Sequence, residues 1–200
     1  MLKGAFWLTL ACSLAVAVYA LVGYFFLTPG QTVHPSMQSA YAAHSSRILI
    51  HVAASLVALA LGPWQFIPAL RRRKALHRGI GFVYFLAVFV GGISGLFTAF
   101  IAQGGLVSRI GFVVLSLLWI LSAIAALRAI KRGDYRSHEG WAIRSFALTF
   151  AAVTIRLQLG AGFASGQRFE DFYWMLSWTC WIPNLLVAEW LIRRRPAAEA

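Results

Sequence analysis

The sequence predicts an all-α, polytopic membrane protein: a bundle of six transmembrane helices with both termini in the cytoplasm. Three observations lead there. Of 200 residues 60% are hydrophobic and only 12% are charged, at a mean hydropathy of +0.72, whereas soluble domains run nearer half apolar and a quarter charged. Six stretches, near 5–27, 48–70, 80–102, 110–130, 141–163 and 172–192, approach or exceed the roughly 20 apolar residues that cross a bilayer. Basic residues collect in alternate connections, with Lys3, Arg71 to Lys74 and Arg78, Arg128 to Arg136, and Arg193 to Arg195 on one side against Arg47, Arg109 and Arg168 on the other. The positive-inside rule assigns the richer side to the cytoplasm. The whole chain, 1–200, reads as a single transmembrane domain of a bacterial inner membrane, because the connections at 71–79, 103–109, 131–140 and 164–171 are short enough to make successive helices antiparallel neighbours.

A net charge of +12 would suggest nucleic acid in a soluble domain. Here the same excess follows from topology, so the expected partner is the lipid bilayer and no nucleic acid. Cys12 and Cys180 lie inside apolar runs, where cysteine acts as a small hydrophobe rather than part of a disulfide or metal spacing.

In chain order, the first span follows Lys3 and runs apolar through Leu27 without a polar break, which reads as an uncleaved anchor rather than a signal peptide. The first outer loop, Thr28 to Ser46, is the longest, and Pro35 with Ser36 to His44 marks a helix start. That helix is expected to lie on the membrane surface or to extend the second span outward. Pro63 and Pro183 fall inside spans two and six, where each frees a carbonyl and can kink its helix. Gly91, Gly92 and Gly95 give span three a small-residue face for close helix contact. A weak repeat aligns His77-Arg78-Gly79 and Phe85 with His138-Glu139-Gly140 and Phe146 at an offset of 61. Spans two and three would then be related to four and five as tandem hairpins.

Span five carries Arg144 and Arg156. An arginine in hydrocarbon costs about 3 kcal/mol or more, so each is expected to face protein, a cavity or headgroups. A rise of about 1.5 Å per residue converts position into depth and gives two polar layers. The cytoplasmic layer holds His77, His138, Arg144, Glu189 and Gln65; Arg144 and Glu189 come out at similar depth and are expected to pair. The outer layer holds Arg156, His51, Arg47 and Gln158, with His44 nearby. Arg156 lacks an acidic partner at its depth unless Glu170 or Asp171 reaches in, which points to a carbonyl cluster, bound water or a non-protein group such as a propionate, a quinone oxygen or a lipid phosphate. Neutral histidines ligate haem iron, and His77 with His138, one at the start of each related span, are the candidate ligands for a b-type haem. At helix edges in basic loops the same histidines also suit helix capping or lipid phosphate. No HExxH, CxxC, nucleophile-elbow or Walker-type pattern and no paired acids for general acid–base work occur in the sequence.

Longer motifs carry a resemblance. Ile50-His51-Val52, Gly62-Pro63-Trp64-Gln65-Phe66 and Leu76-His77-Arg78-Gly79-Ile80-Gly81-Phe82-Val83-Tyr84 are followed by Arg144-Ser145-Phe146-Ala147-Leu148-Thr149, Val153 to Leu157 and Trp181-Ile182-Pro183-Asn184-Leu185. From about His51 to Arg193 the chain resembles a prokaryotic membrane-protein family catalogued as a domain of unknown function, of the 2306 type. The resemblance implies a multi-helix inner-membrane architecture and no particular activity. Phe146 stands where the family suggests tyrosine, and Glu139 where it suggests a basic residue. The residues therefore leave three readings open: a b-haem- or quinone-linked redox protein, a small transporter or permeation module, and a non-catalytic assembly subunit with a membrane-protein partner.

Overall fold

A computed structural model of the chain describes residues 3–27 and 33–194. The expectations for Arg195, for the side chain of Lys3 and for residues 28–32 of the first outer loop lie outside the described residues. Among the described residues there is no strand, and six helical units are long and apolar enough to cross a membrane: Gly4–Phe26, Pro35–Phe66, Lys74–Ala99, Gly105–Lys131, Tyr135–Ala164 and Phe169–Arg193. The first is α1 (Lys3–Leu21) prolonged by a π-helical turn over Val22–Phe26. The second is α2 (Pro35–Leu61), followed by a 3₁₀ turn over Pro63–Phe66 and the short α3 (Pro68–Arg72). The third and fourth are α4 (Lys74–Ala99) and α5 (Gly105–Lys131). Each of the last two is divided: α6 (Tyr135–Thr149) and α7 (Ala151–Ala164) make the fifth, α8 (Phe169–Thr179) and α9 (Ile182–Arg193) the sixth.

Several boundaries shift from the sequence expectation, each for a local reason. The second span starts at Pro35 rather than near 48, because Pro35 occupies the first helical position and the His34 ring accepts the Ser36 N–H as an N-cap. The outer helix is thus an extension of span two, bent at His44 (φ −134°, ψ 27°). Pro63 does not kink an ongoing helix; it opens the 3₁₀ turn that ends α2. Pro183 likewise lies in the first turn of a new helix, where its missing N–H leaves nothing unsatisfied. Gly133 (φ +76°) turns the chain between α5 and α6, and the Asp134 carboxylate then caps α6 by accepting the Ser137 N–H at 2.9 Å.

In the chain's serial packing α2 lies against α4, α4 against α5, α5 against α6 and α8, α6 against α9, and α1 against α2. Within lipid, packing and small residues rather than a hydrophobic driving force hold helices together. Gly92 shows the point: a Cβ there would lie 2.6 Å from Ile120 Cγ1, and one at Gly91 would crowd the Trp119 ring at 3.1 Å. The central core joins Ala58, Val88, Trp119, Ala123, Leu148 and Cys180, and a smaller aromatic cluster of Phe169, Phe172 and Tyr173 closes the end opposite the Arg144–Glu189 pair.

Candidate functional site

At the arginine-rich end the polar layer is largely a framework. Arg144 grips Glu189 through two bonds, Nε to Oε1 at 2.5 Å and Nη2 to Oε2 at 2.8 Å, the planar fork-to-carboxylate geometry that gives such pairs their strength. Its guanidinium carbon also lies 4.6 Å from the Trp141 ring centroid. Glu139 pairs with Arg71 at 2.7 Å, so this acid of α6 is held by a basic residue of α3. Phe146 packs near Phe66, centroids 5.7 Å apart, and against Gly62, where a Cβ would overlap its ring. His138 donates Nδ1–H to the Ala126 carbonyl at 2.9 Å, which leaves Nε2 as the unbonded ring nitrogen. His77 Nδ1 and Gln65 Nε2 are buried with no partner, and His138 is within electrostatic reach of His77.

The opposite half contains a cavity of about 720 Å³. Its wall draws on α1, α2 and α4 to α8, and its polar lining includes His51, Arg156, Tyr24, Tyr41, Ser55 and Ser116. Arg156 and His51, grouped by depth in the sequence, therefore share one chamber. Arg156 gives Nη1–H to the Ala152 carbonyl of its own helix at 2.8 Å and has the Tyr19 ring 5.8 Å away. Glu170 lies 4.0 Å from Arg168 instead, and no described carboxylate comes within ion-pairing distance of Arg156. A guanidinium carries five N–H donors, so most of this one's capacity remains unspent inside an apolar chamber.

His51 complements it. Its Nδ1–H donates to the Gly91 carbonyl at 2.8 Å, which fixes the tautomer and makes Nε2 an acceptor. Gly95 makes room for the ring, since a Cβ there would lie 2.8 Å from His51 Cε1. Tyr41, only 4% exposed, and Ser55 both line the cavity with hydroxyls that are buried and unpartnered. Buried polar atoms are nearly always hydrogen-bonded, and these two hydroxyls share the chamber with the guanidinium of Arg156. Ser55 stands four residues from His51, one helical turn along the same face, a signal present in the sequence. Tyr41 lies beyond the bend at His44, where depth counting does not reach.

Arg47 and Gln158 do not line the cavity. Arg47 donates to the Phe97 carbonyl at 3.4 Å, and Gln158 is engaged by Thr179, through its carbonyl at 3.2 Å and its hydroxyl at 3.3 Å. His44 forms the bend in α2 and also stands outside the lining. His34 does line it, stacked on Phe169 with centroids 4.3 Å apart.

Two further networks set the chamber's inner boundary. Thr149 on its wall accepts the Trp119 indole N–H at 2.9 Å and donates to the Ser145 carbonyl at 2.9 Å, while Tyr84 Oη joins Ser145 Oγ at 2.9 Å. On α5 the register runs from Trp119, bonded to this network, to Ala126, bonded to His138; between them lies Ala123, fully buried in the same core as Phe85. The polar groups between the cavity and the arginine-rich end are Ser122 and the Tyr84–Ser145–Thr149 network, set among Ala123, Phe85 and Leu148 of the core. The second network centres on Asn184, unremarked as a site in the sequence. Its Nδ2 donates to the Cys180 carbonyl at 2.9 Å and the Ala147 carbonyl at 3.2 Å, and its Oδ1 accepts from Thr154 at 3.1 Å. Carbonyls released where spans five and six are interrupted are thus satisfied by one amide, the accounting that a lipid environment demands.

Residues 48–192 match the family described as "Predicted membrane protein (DUF2306)". No curated protein and no solved structure matches the chain. The matched segment includes His51, Ser55, Arg156 and Asn184 and leaves Tyr19, Tyr24 and Tyr41 outside it.

Proposed function

Because this chain belongs to the predicted membrane-protein family DUF2306, whose description names a location and no reaction, we propose a function from the cavity itself: binding of a quinone-type membrane ligand, ring oxygens toward Arg156 and His51 and isoprenoid body along the apolar wall. The observation that carries this reading is the pairing, in one chamber of about 720 Å³, of an unneutralised guanidinium with an imidazole held as an acceptor. A quinone carbonyl accepts from Arg156; a quinol hydroxyl donates to His51 Nε2. A carboxylate head would satisfy the arginine but would meet the lone pair of His51, so the donor–acceptor pair favours the quinone couple. Ligand pockets of this size, mostly apolar with a few convergent polar groups, are the usual form of a small-molecule site.

Binding is favoured over passage because the hydroxyls between the cavity and the arginine-rich end are bonded to one another and to backbone carbonyls, within the buried core around Ala123 and Phe85. The tandem-hairpin repeat belongs to the same proposal: Tyr84 and Ser145, 61 residues apart, touch each other, and the carbonyls that hold His51 and Arg156, Gly91 and Ala152, are also 61 apart. In a bacterial cell the ligand would come from the inner membrane, with both termini of the protein cytoplasmic. Electron exchange would require a second redox group, for which His77 and His138, as ligands of a b-haem, are the candidates.

The test is extraction of the protein in mild detergent, solvent extraction of the purified sample and chromatographic assay for quinones, with titration of a short-chain benzoquinone followed by tryptophan fluorescence. Near-stoichiometric quinone or saturable binding, lost in Arg156→Gln, is expected. A wild-type sample with neither sinks the proposal.

A further inference from the structure

A second hollow lies at the other end of the molecule, on the outside of the bundle, and the quinone reading makes no use of it. It is a groove of about 500 Å³ along α5, walled by Leu118, Leu121, Ile124 and Ala125, with Arg128 and Arg132 at one end and Trp141 of α6 across from them. The positions 118, 121, 125, 128 and 132 repeat at three- and four-residue steps, so one helical face carries an apolar strip that ends in two cations. Leu121 is 55% exposed, and Trp141, 37% exposed, is backed by the Arg144 guanidinium. Arg128 makes no ion pair among the described residues. Arg132 has Asp134 within electrostatic reach, but that carboxylate is already held by the Ser137 N–H.

We infer that this groove is a specific site for one anionic phospholipid, its acyl chain along the Leu118–Ala125 strip and its phosphate between Arg128 and Arg132. The charge pattern selects the occupant. A neutral helix would bring no charge to Arg128 and Arg132, and a zwitterionic lipid brings a phosphate offset by its own ammonium, whereas an anionic headgroup meets them with net negative charge at the depth where the apolar strip ends. Basic pockets at the ends of membrane helices bind anionic headgroups on this principle, and tryptophan prefers the same interfacial depth.

The experiment uses the full chain, delipidated in neutral detergent and titrated with phosphatidylglycerol or phosphatidylcholine, read by native mass spectrometry and by thermal unfolding. Phosphatidylglycerol is expected to bind and to raise the unfolding temperature more than phosphatidylcholine. Arg128→Gln with Arg132→Gln should weaken binding roughly 25-fold, at about fivefold for each arginine, while Arg72→Gln with Arg73→Gln, which removes equal charge from the same end, should change it less than about twofold. Leu121→Trp, which fills the groove and keeps every charge, should also block the lipid. Equal losses in the two arginine doubles would reduce the effect to diffuse charge and overturn the site. Competition by glycerol phosphate as effective as the intact lipid, or unaltered binding in Leu121→Trp, overturns it too.

Discussion

Arg144 and Arg156 stand on one membrane span, yet they meet opposite surroundings. Arg144 has a carboxylate in bidentate contact, an aromatic ring over its face and a position near the basic end of the bundle. Arg156 has a backbone carbonyl, a more distant ring and an open chamber. A cation in an apolar region is costly until something neutralises it. Where the chain supplies the neutralising group, the arginine is architecture; where it does not, the arginine is the residue around which the ligand is proposed.

That contrast can be broken by substitution. The largest effect is expected from Glu189→Gln, which leaves Arg144 with a weaker partner: thermal unfolding in detergent should show a loss of about 2 kcal/mol. This falls below the roughly 3–5 kcal/mol of a fully buried pair, because the two side chains are 23% and 36% exposed. Equal sensitivity to loss of either arginine's surroundings would erase the distinction. Gly95→Ala acts on the cavity alone, since the added Cβ must displace the His51 ring; about 1 kcal/mol of stability and a clear weakening of quinone binding are expected. Arg156→Gln should change stability by no more than about 0.5 kcal/mol, and in the stabilising direction, because an uncompensated desolvation is relieved. Its loss of ligand binding is what separates it from the effect of Glu189→Gln, and a destabilisation as large as that of Glu189→Gln would mean Arg156 is structural after all.

The smallest effect concerns the turn at Asp134. The hydrogen bonds from Ser137, side chain first and backbone second, hold its carboxyl below the ordinary value of 3.8. A lowered folded-state pKa means that the cap's contribution is complete above that value and disappears as pH falls through the lowered one. Unfolding profiles of wild type and Asp134→Asn should therefore run parallel from neutral pH down to about pH 5, and approach each other only below 3.8. The expected orientation has its own check: alkaline phosphatase fused after Arg168 should be active and, fused after Arg132, inactive.

The helical membrane architecture was legible because hydropathy is a bulk property, insensitive to which way any one residue faces. The Arg144–Glu189 contact was legible for a related reason, since depth along neighbouring helices needs only the rise per residue. Rotation about each helix axis is what depth omits. That omission explains why Arg156 and His51 fall together in the cavity while Arg47 and Gln158, at similar depth, are engaged elsewhere. Tyr41 escaped because its position depends on the bend at His44, and Asn184 because a neutral amide in an apolar helix carries no charge to account for. The prolines were visible, but their effect depended on register: both open new helical segments instead of bending old ones.

Asn184 has one more consequence, a mechanical one. Its amide ties Cys180 at the end of α8 to Ala147 in α6 and to Thr154 in α7. Two interruptions held by one side chain are coupled by its hydrogen bonds, each worth about 1 kcal/mol. A swing of α8 against α9 would tug on the joint between α6 and α7, and Cys180 and Ala151, beside those joints, both face the chamber. The chamber thus has two helix breaks in its wall braced by a single amide.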